Sequence, residues 1–218
     1  MNLLELILSW DTHLFLLING LHNAYFDKFM FVFSSKWVWI PFYLAVIFEI
    51  YKYKKNESVW LILALVLCVV LTDQISSSLI KDTVQRLRPS QDTSLDCVIH
   101  IVNGYKGGKF GFVSSHAANT FGFALLSSLI FRNKTYTFIV FSWAAITAYS
   151  RIYLGVHYPG DIIGGIILGV FTALFCYGII RKFKTKLLDS FVFSQKLTLS
   201  SFVLIISILA IGVYSCFF

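Results

Sequence analysis

SVWLILALVLCVVLTDQISSSLI, residues Ser58–Ile80, carries one charge, Asp73, and is otherwise dominated by aliphatic side chains. About 20 mostly apolar residues are enough to cross the hydrocarbon core of a bilayer as a helix. This run therefore reads as a membrane span. Five more runs of the same kind follow from the same test: Phe29–Ile50, Ser114–Phe131, Tyr136–Tyr153, Pro159–Ile180 and Leu197–Phe217. Composition agrees. The chain is 57% hydrophobic and only 13% charged, where a soluble domain carries roughly 25% charge. Most of its surface does not face water, which argues against a soluble helical bundle. The expected fold class is all-α, a polytopic membrane bundle of about six transmembrane helices. At 218 residues the chain has room for one domain of several spans and none for a second soluble one.

Residues before the first span differ. Asn2, Glu5, Ser9 and Thr12 recur at helical spacing among Leu, Ile and Trp. Such a stripe predicts an amphipathic helix lying in the membrane interface over residues 1–25. A seventh span is the alternative, and Asp11 and His13 count against it. The start lacks a basic n-region and an A-x-A site, so no signal peptide is read. Residues 26–218 form the transmembrane domain.

The net charge is +7. The positive residues lie between apolar runs, so they report membrane orientation rather than nucleic-acid binding. Lys52, Lys54 and Lys55, then Arg132 and Lys134, then Arg181, Lys182, Lys184, Lys186 and Lys196 all fall on one side by span order. Short loops rich in Lys and Arg stay in the cytoplasm. The opposite face, with the loop Lys81–Val113, is expected to be extracytoplasmic. Cys68, Cys176 and Cys216 sit in apolar runs and Cys97 is alone in a polar loop. No CxxC or CxH spacing exists, so no metal site and no disulfide frame is expected.

Three polar clusters fall on that extracytoplasmic face. The first is Lys81-Asp-Thr-Val-Gln-Arg-Leu-Arg88-Pro89. Lys81 and Arg88 are about two helical turns apart and are expected to share a helix face. A basic helix end reaching to lipid headgroups is the plain alternative. The second is Val113-Ser114-Ser115-His116, where Ser114 suits an N-cap and the free N–H groups behind it attract anions. An ordinary capped helix would look the same. The third is Ser150-Arg151, then His157-Tyr-Pro159-Gly-Asp161. Pro159 suits the first helical position. Asp161 in that first turn can accept one imidazole N–H of His157 and leave the other nitrogen as an outward lone pair. A polar hairpin between spans is the alternative. Together, two histidines and a carboxylate converge with Lys81, Arg88 and Arg151, a set suited to a doubly charged phosphate.

These residues resemble the type 2 phosphatidic acid phosphatase (PAP2) superfamily, with its K-x6-R-P, P-S-G-H and S-R-x5-H-x3-D motifs. The chain has Lys81-x6-Arg88-Pro89, Ser114-Ser115-His116 and Ser150-Arg151-x5-His157-x3-Asp161. It departs from the pattern at Val113 and Ser115, where Pro and Gly are usual. The resemblance implies a lipid phosphatase that needs no cofactor. His157 would be the nucleophile, Asp161 its orienting group and His116 the acid for the leaving oxygen. Lys81, Arg88, Ser114, Ser115 and Arg151 would hold the phosphate. The implied substrate is a lipid phosphate in the bilayer, with undecaprenyl diphosphate or lipid A phosphate favoured and phosphatidylglycerophosphate allowed. No nucleic acid and no obligate protein partner is implied. A vanadate-type haloperoxidase and a non-catalytic transporter are the competing classes. Lys36 and Asp73 stand outside the motifs at similar depth; an ion pair between them is one expectation, and the alternative is that Lys36 reaches outward while Asp73 meets water below the site.

Overall fold

A computed structural model describes residues 2–184, 187–188 and 196–217. Lys186, one of the expected cytoplasmic charges, lies outside the described residues. Eight main helices are described: α1 Leu3–Asn19, α2 Ala24–Phe33, α3 Ile40–Lys54, α4 Ser58–Val84, α5 Ser115–Phe131, α6 Lys134–Tyr153, α7 Pro159–Phe183 and α8 Leu199–Phe217. Among the described residues the only β pairing is one isolated antiparallel bridge, Leu87 to Phe110.

Three helices, α4, α7 and α8, are long and apolar enough to cross a membrane alone. The pair α1 and α2, bent by 115°, would add a fourth if taken as one broken span. The other expected spans correspond to α3, α5 and α6. α5 is enclosed by its neighbours and carries Ser and Thr, so it needs less apolar surface. Exposed Val66, Val70, Phe171, Phe175, Ile206 and Leu209 stand on the outer faces of α4, α7 and α8. Apolar surface of that extent calls for a cover, and lipid supplies it.

The first expected span, Phe29–Ile50, is not one helix. It breaks at Ser34–Ser35, makes a 3₁₀ turn over Lys36–Trp39 and restarts as α3. Pro41 in the first turn of α3 lacks an N–H and suits a helix start. The Trp39 indole donates to the freed Phe33 carbonyl at 3.0 Å. α3 then ends near buried Glu49, whose carboxylate accepts Leu199 N at 2.8 Å and Ser200 N at 3.1 Å. A carboxylate at a helix start satisfies orphan N–H groups and complements the dipole. This joins α3 to α8.

α4 is not α-helical throughout. Its Ile75–Ile80 stretch is π-helical. The Ser76 and Ser77 hydroxyls both donate to the Asp73 carbonyl, and such bonds compete with the regular backbone ladder.

The core lies around α5, where Phe42, Phe123, Trp143 and Trp39 pack ring against ring. α5 meets α7 along glycines. A Cβ on Gly169 would stand 2.5 Å from the Ala118 carbonyl oxygen, and one on Gly165 would stand 2.5 Å from that of Ser114. The backbones touch there, and this contact sets the start of α5 against the start of α7.

Candidate active site

The site grows from the turn between α6 and α7. Gly155 adopts φ +74°, and any Cβ there would meet the His100 carbonyl at 2.9 Å. The chain then runs through buried Val156, His157 and Tyr158 into Pro159 at the head of α7. Asp161 faces back. Its Oδ2 accepts Tyr158 N–H at 3.0 Å and lies 3.2 Å from His157 Nδ1. On the other edge of the ring, Arg88 Nη1 lies 3.1 Å from Nε2. A guanidinium can only donate. Nε2 is therefore an acceptor, and Nδ1 carries the proton toward Asp161. The lone pair expected from sequence is present and is covered by Arg88.

His157 is buried, at 1% exposure. Burial, then the charges of Arg88, Arg151, Lys81 and Arg86, hold its pKa well below the usual 6.5. All of these disfavour the imidazolium. At pH 6 the ring should thus be neutral with its proton on Nδ1. Nitrogen-15 spectra of the phosphate-free protein at pH 6 test this, and an imidazolium pattern there would contradict it.

Arg88 also donates from Nε to the Phe110 carbonyl at 3.0 Å and from Nη1 to that of Val156 at 3.3 Å. It does not share a helix face with Lys81. α4 stops at Val84, Gln85 takes a left-handed φ of 51°, and the chain becomes extended to bridge Phe110. Arg86 and Arg88 then point to different partners. Arg86 Nη1 meets Asp161 Oδ1 at 3.1 Å, and Nη2 meets Asp11 Oδ2 of α1 at 2.8 Å. The sequence reading assigned Arg86 no role, because its signal appears only once the segment is extended.

Ser114 caps α5 as expected, accepting Ala117 N–H at 3.4 Å. Its own N–H donates to the Asp161 carbonyl at 2.9 Å. Ser115 departs from the family pattern and has a partner because of it. Lys81 Nζ donates to Ser115 Oγ at 2.7 Å, and the Ser76 hydroxyl lies 2.8 Å from the same oxygen. His116 faces a cavity of about 610 Å³ that runs between α3 and α4, past Asn119 and Tyr43 to Leu65.

Arg151, 2% exposed, donates to the Ser34 hydroxyl at the α2–α3 break and to Tyr105 OH at 3.1 Å. Its Nε–H is buried without a partner among the described residues. Tyr105, in the loop between α4 and α5, lies against Arg151. Lys36 and Asp73 both line the cavity but form no ion pair. Asp73 accepts from Asn119 Nδ2 at 3.1 Å, and Lys36 Nζ lies 5.5 Å from the Trp37 ring centroid.

Among the described residues, one group outside this cluster has metal-ligand chemistry. His22, Asp27 and His100 offer ligand atoms within 4.8 Å of one another. The two imidazoles stack in parallel at 3.7 Å with an angle of 2°. In-plane lone pairs of parallel rings do not meet at one ion, so we assign no metal there.

Known proteins share this arrangement of sequence and fold. A family model described as the PAP2 superfamily matches residues 57–185. A lipid A 4'-phosphatase of Porphyromonas gingivalis is 41% identical over 175 residues, covering 80% of this chain and 74% of that one. Another, of Bacteroides thetaiotaomicron, is 36% identical over 187 residues, covering 85% and 83%. A crystal structure of a transmembrane PAP2-type phosphatidylglycerolphosphate phosphatase from Bacillus subtilis superposes with a TM-score of 0.64 at 19% identity. It covers 82% of this chain and 88% of the other. The motif order, the bundle and these matches converge, and the chain belongs to the PAP2 superfamily.

Proposed function

We propose that this membrane lipid phosphatase removes a phosphate monoester from a lipid A-type glycolipid, through a phosphohistidine. The observation that carries the phosphate site is the buried, unpartnered Nε–H of Arg151. An unsatisfied buried donor is costly, and a phosphate oxygen would satisfy it. Lys81, Arg88, Ser114 and Ser115 supply further donors nearby. The relatives from Porphyromonas gingivalis and Bacteroides thetaiotaomicron, both named for lipid A 4'-phosphate, support the substrate class. The apolar cleft beside His116 offers room for an acyl chain while the headgroup enters the site.

His157 Nε2 attacks phosphorus once Arg88 has turned its N–H from the nitrogen to a phosphate oxygen. The N–P bond forms as the bond to the lipid oxygen breaks. His116, protonated as the phosphate's negative charge enters beside it, delivers that proton to the lipid oxygen and then takes one from water, whose oxygen cleaves the N–P bond. Asp161 stays ionised and offsets the positive charge on His157. Lys81, Arg88 and Arg151 meet the charge that spreads over the equatorial oxygens. No step needs a metal.

Phosphate release from lipid A bisphosphate in mixed micelles, beside undecaprenyl diphosphate, tests the substrate. Faster release from lipid A is expected. Turnover of the diphosphate alone would overturn the choice.

The site opens to the outside of the cytoplasmic membrane in this reading, and α1 lies in the interface. Exposed Leu3, Ile7, Trp10, Leu14 and Leu17 form one helical stripe on α1, which supports that placement. Gly108 is exposed and a Cβ there meets nothing within 4 Å, whereas at Gly107 it would stand 2.9 Å from Arg88 Nη1. Gly108→Cys should therefore label with an impermeant thiol reagent in intact spheroplasts. Labelling only after the membrane is opened would invert the topology.

A further inference from the structure

We propose that Arg86, held by Asp11 of α1, is a positioning residue that fixes Asp161 and through it His157. This rests on His157 being the nucleophile.

The Asp161 carboxylate has three donors among the described residues, two on one oxygen and one on the other. Oδ2 takes Tyr158 N–H at 3.0 Å and faces His157 Nδ1 at 3.2 Å. Oδ1 takes Arg86 Nη1 at 3.1 Å. Remove Arg86 and one oxygen loses its charged donor in a site where Asp161 is fully buried. The carboxylate plane then turns more freely about its last bond. The aim of the imidazole follows that plane.

Arg86 is itself held at both terminal nitrogens and over one face. Its Nη2 pairs with Asp11 Oδ2 at 2.8 Å, and its guanidinium carbon lies 4.0 Å from the Tyr158 ring centroid. Asp11 has a second grip, because its Oδ1 accepts Gly160 N–H at 2.7 Å. A Cβ on Gly160 would come within 2.7 Å of Asp11 Oδ2, so glycine lets the carboxylate approach. One carboxylate from α1 thus secures both Arg86 and the first turn of α7. The relay runs Asp11, Arg86, Asp161, His157.

The same geometry separates Arg86 from the phosphate-binding cations. Both of its terminal nitrogens are committed to carboxylates and one face is covered by a ring. Arg151 keeps a buried N–H without a partner, and Arg88 sits on the attacking nitrogen. Arg86 already has two anions to neutralise, Asp11 and Asp161.

The test is steady-state kinetics on micellar lipid A bisphosphate for Arg86→Ala, Arg86→Lys, Asp11→Asn and the double variant Arg86→Ala/Asp11→Asn. A misplaced catalytic group costs on the order of 10²-fold in rate. Arg86→Ala should lose about that much in kcat, with KM within about twofold, because an interaction used in the transition state is lost and not uniform binding. Asp11→Asn should lose less but measurably, roughly tenfold. The double variant should be no slower than Arg86→Ala, since both lie on one relay. Millimolar guanidinium chloride should restore part of the Arg86→Ala rate and leave the wild-type rate unchanged. A raised KM at unchanged kcat would make Arg86 a phosphate binder and overturn the relay. So would a wild-type kcat in a folded Arg86→Ala protein. Should Arg86→Ala fail to fold, Asp11→Asn decides alone, and an unchanged kcat there overturns the relay. His157→Ala is measured beside them. If it is inactive while Arg86→Ala is fully active, only the relay fails. If it turns over normally, the nucleophile assignment fails first.

Discussion

A His157→Ala protein is expected to release no lipid phosphate above background, a loss of about 10⁴-fold or more. Ala leaves Arg88 without the ring nitrogen it now meets at 3.1 Å, so phosphate binding itself should survive. The expected signature is therefore a collapsed kcat with bound substrate still detectable. Asp161→Asn should follow at about 10²–10⁴-fold. The amide can offer N–H where the carboxylate offers only acceptors, and an N–H facing Nδ1 selects the wrong tautomer. Turned the other way, the same N–H would meet Arg86 donor to donor. Phosphate release from purified protein in detergent measures both, with a melting temperature as the fold check. Full turnover in a folded His157→Ala protein would sink the covalent route.

The second large effect is on the fold. Gly169→Val should prevent α5 and α7 from closing. Its Cβ would stand 2.5 Å from the Ala118 carbonyl and 2.9 Å from Gly122 N. Those are backbone atoms and cannot swing aside. Overpacking costs about 1–3 kcal/mol where side chains can adjust, and more where they cannot. The contact from Ser114 N to the Asp161 carbonyl spans the same two helices and would be lost with it. Gly178→Val is the internal control. It lies on the same helix, and its Cβ would meet nothing within 4 Å. Thermal unfolding in detergent should separate the two sharply. Equal melting temperatures would show that the seam is not limiting.

Much of this was readable from residue order. Apolar run length placed α4, α7 and α8 to within about four residues at each end, because a lipid-facing helix must be apolar for most of its length. Pro159 and Ser114 marked helix starts through caps whose chemistry is local. The departures share a cause. Phe29–Ile50 looked continuous because a hydropathy window averages over Ser34, Ser35 and Lys36. The break there serves a distant group, Arg151, which bonds Ser34. Lys81 and Arg88 were expected on one helix face because nothing between them is a breaker. Gln85 takes a left-handed conformation with no Gly or Asn to announce it. Leu87 then pairs with Phe110, a partner remote in sequence. Arg86, Tyr105 and Asp11 joined the candidate site through such remote contacts. The Lys36 and Asp73 pair failed for the converse reason. Similar depth brought both to one cavity, but Asn119 satisfies Asp73 first.

The π-helical stretch at Ile75–Ile80 bears on how this chain is compared with others. A π turn amounts to an α-helix that has absorbed a surplus residue, and each residue of an α-helix turns the chain by about 100°. The hydrophobic phase read along Ser58–Gln74 is thus out of step with the lysine that follows. A relative whose helix stays α-helical there would present the equivalent lysine only if it were one position shorter. Aligned outward from the membrane run, Lys81 would fall beside the wrong residue. Aligned backward from Arg88 and Pro89, it falls on the lysine of the motif, and the gap belongs among Ser76, Ser77 and Ser78.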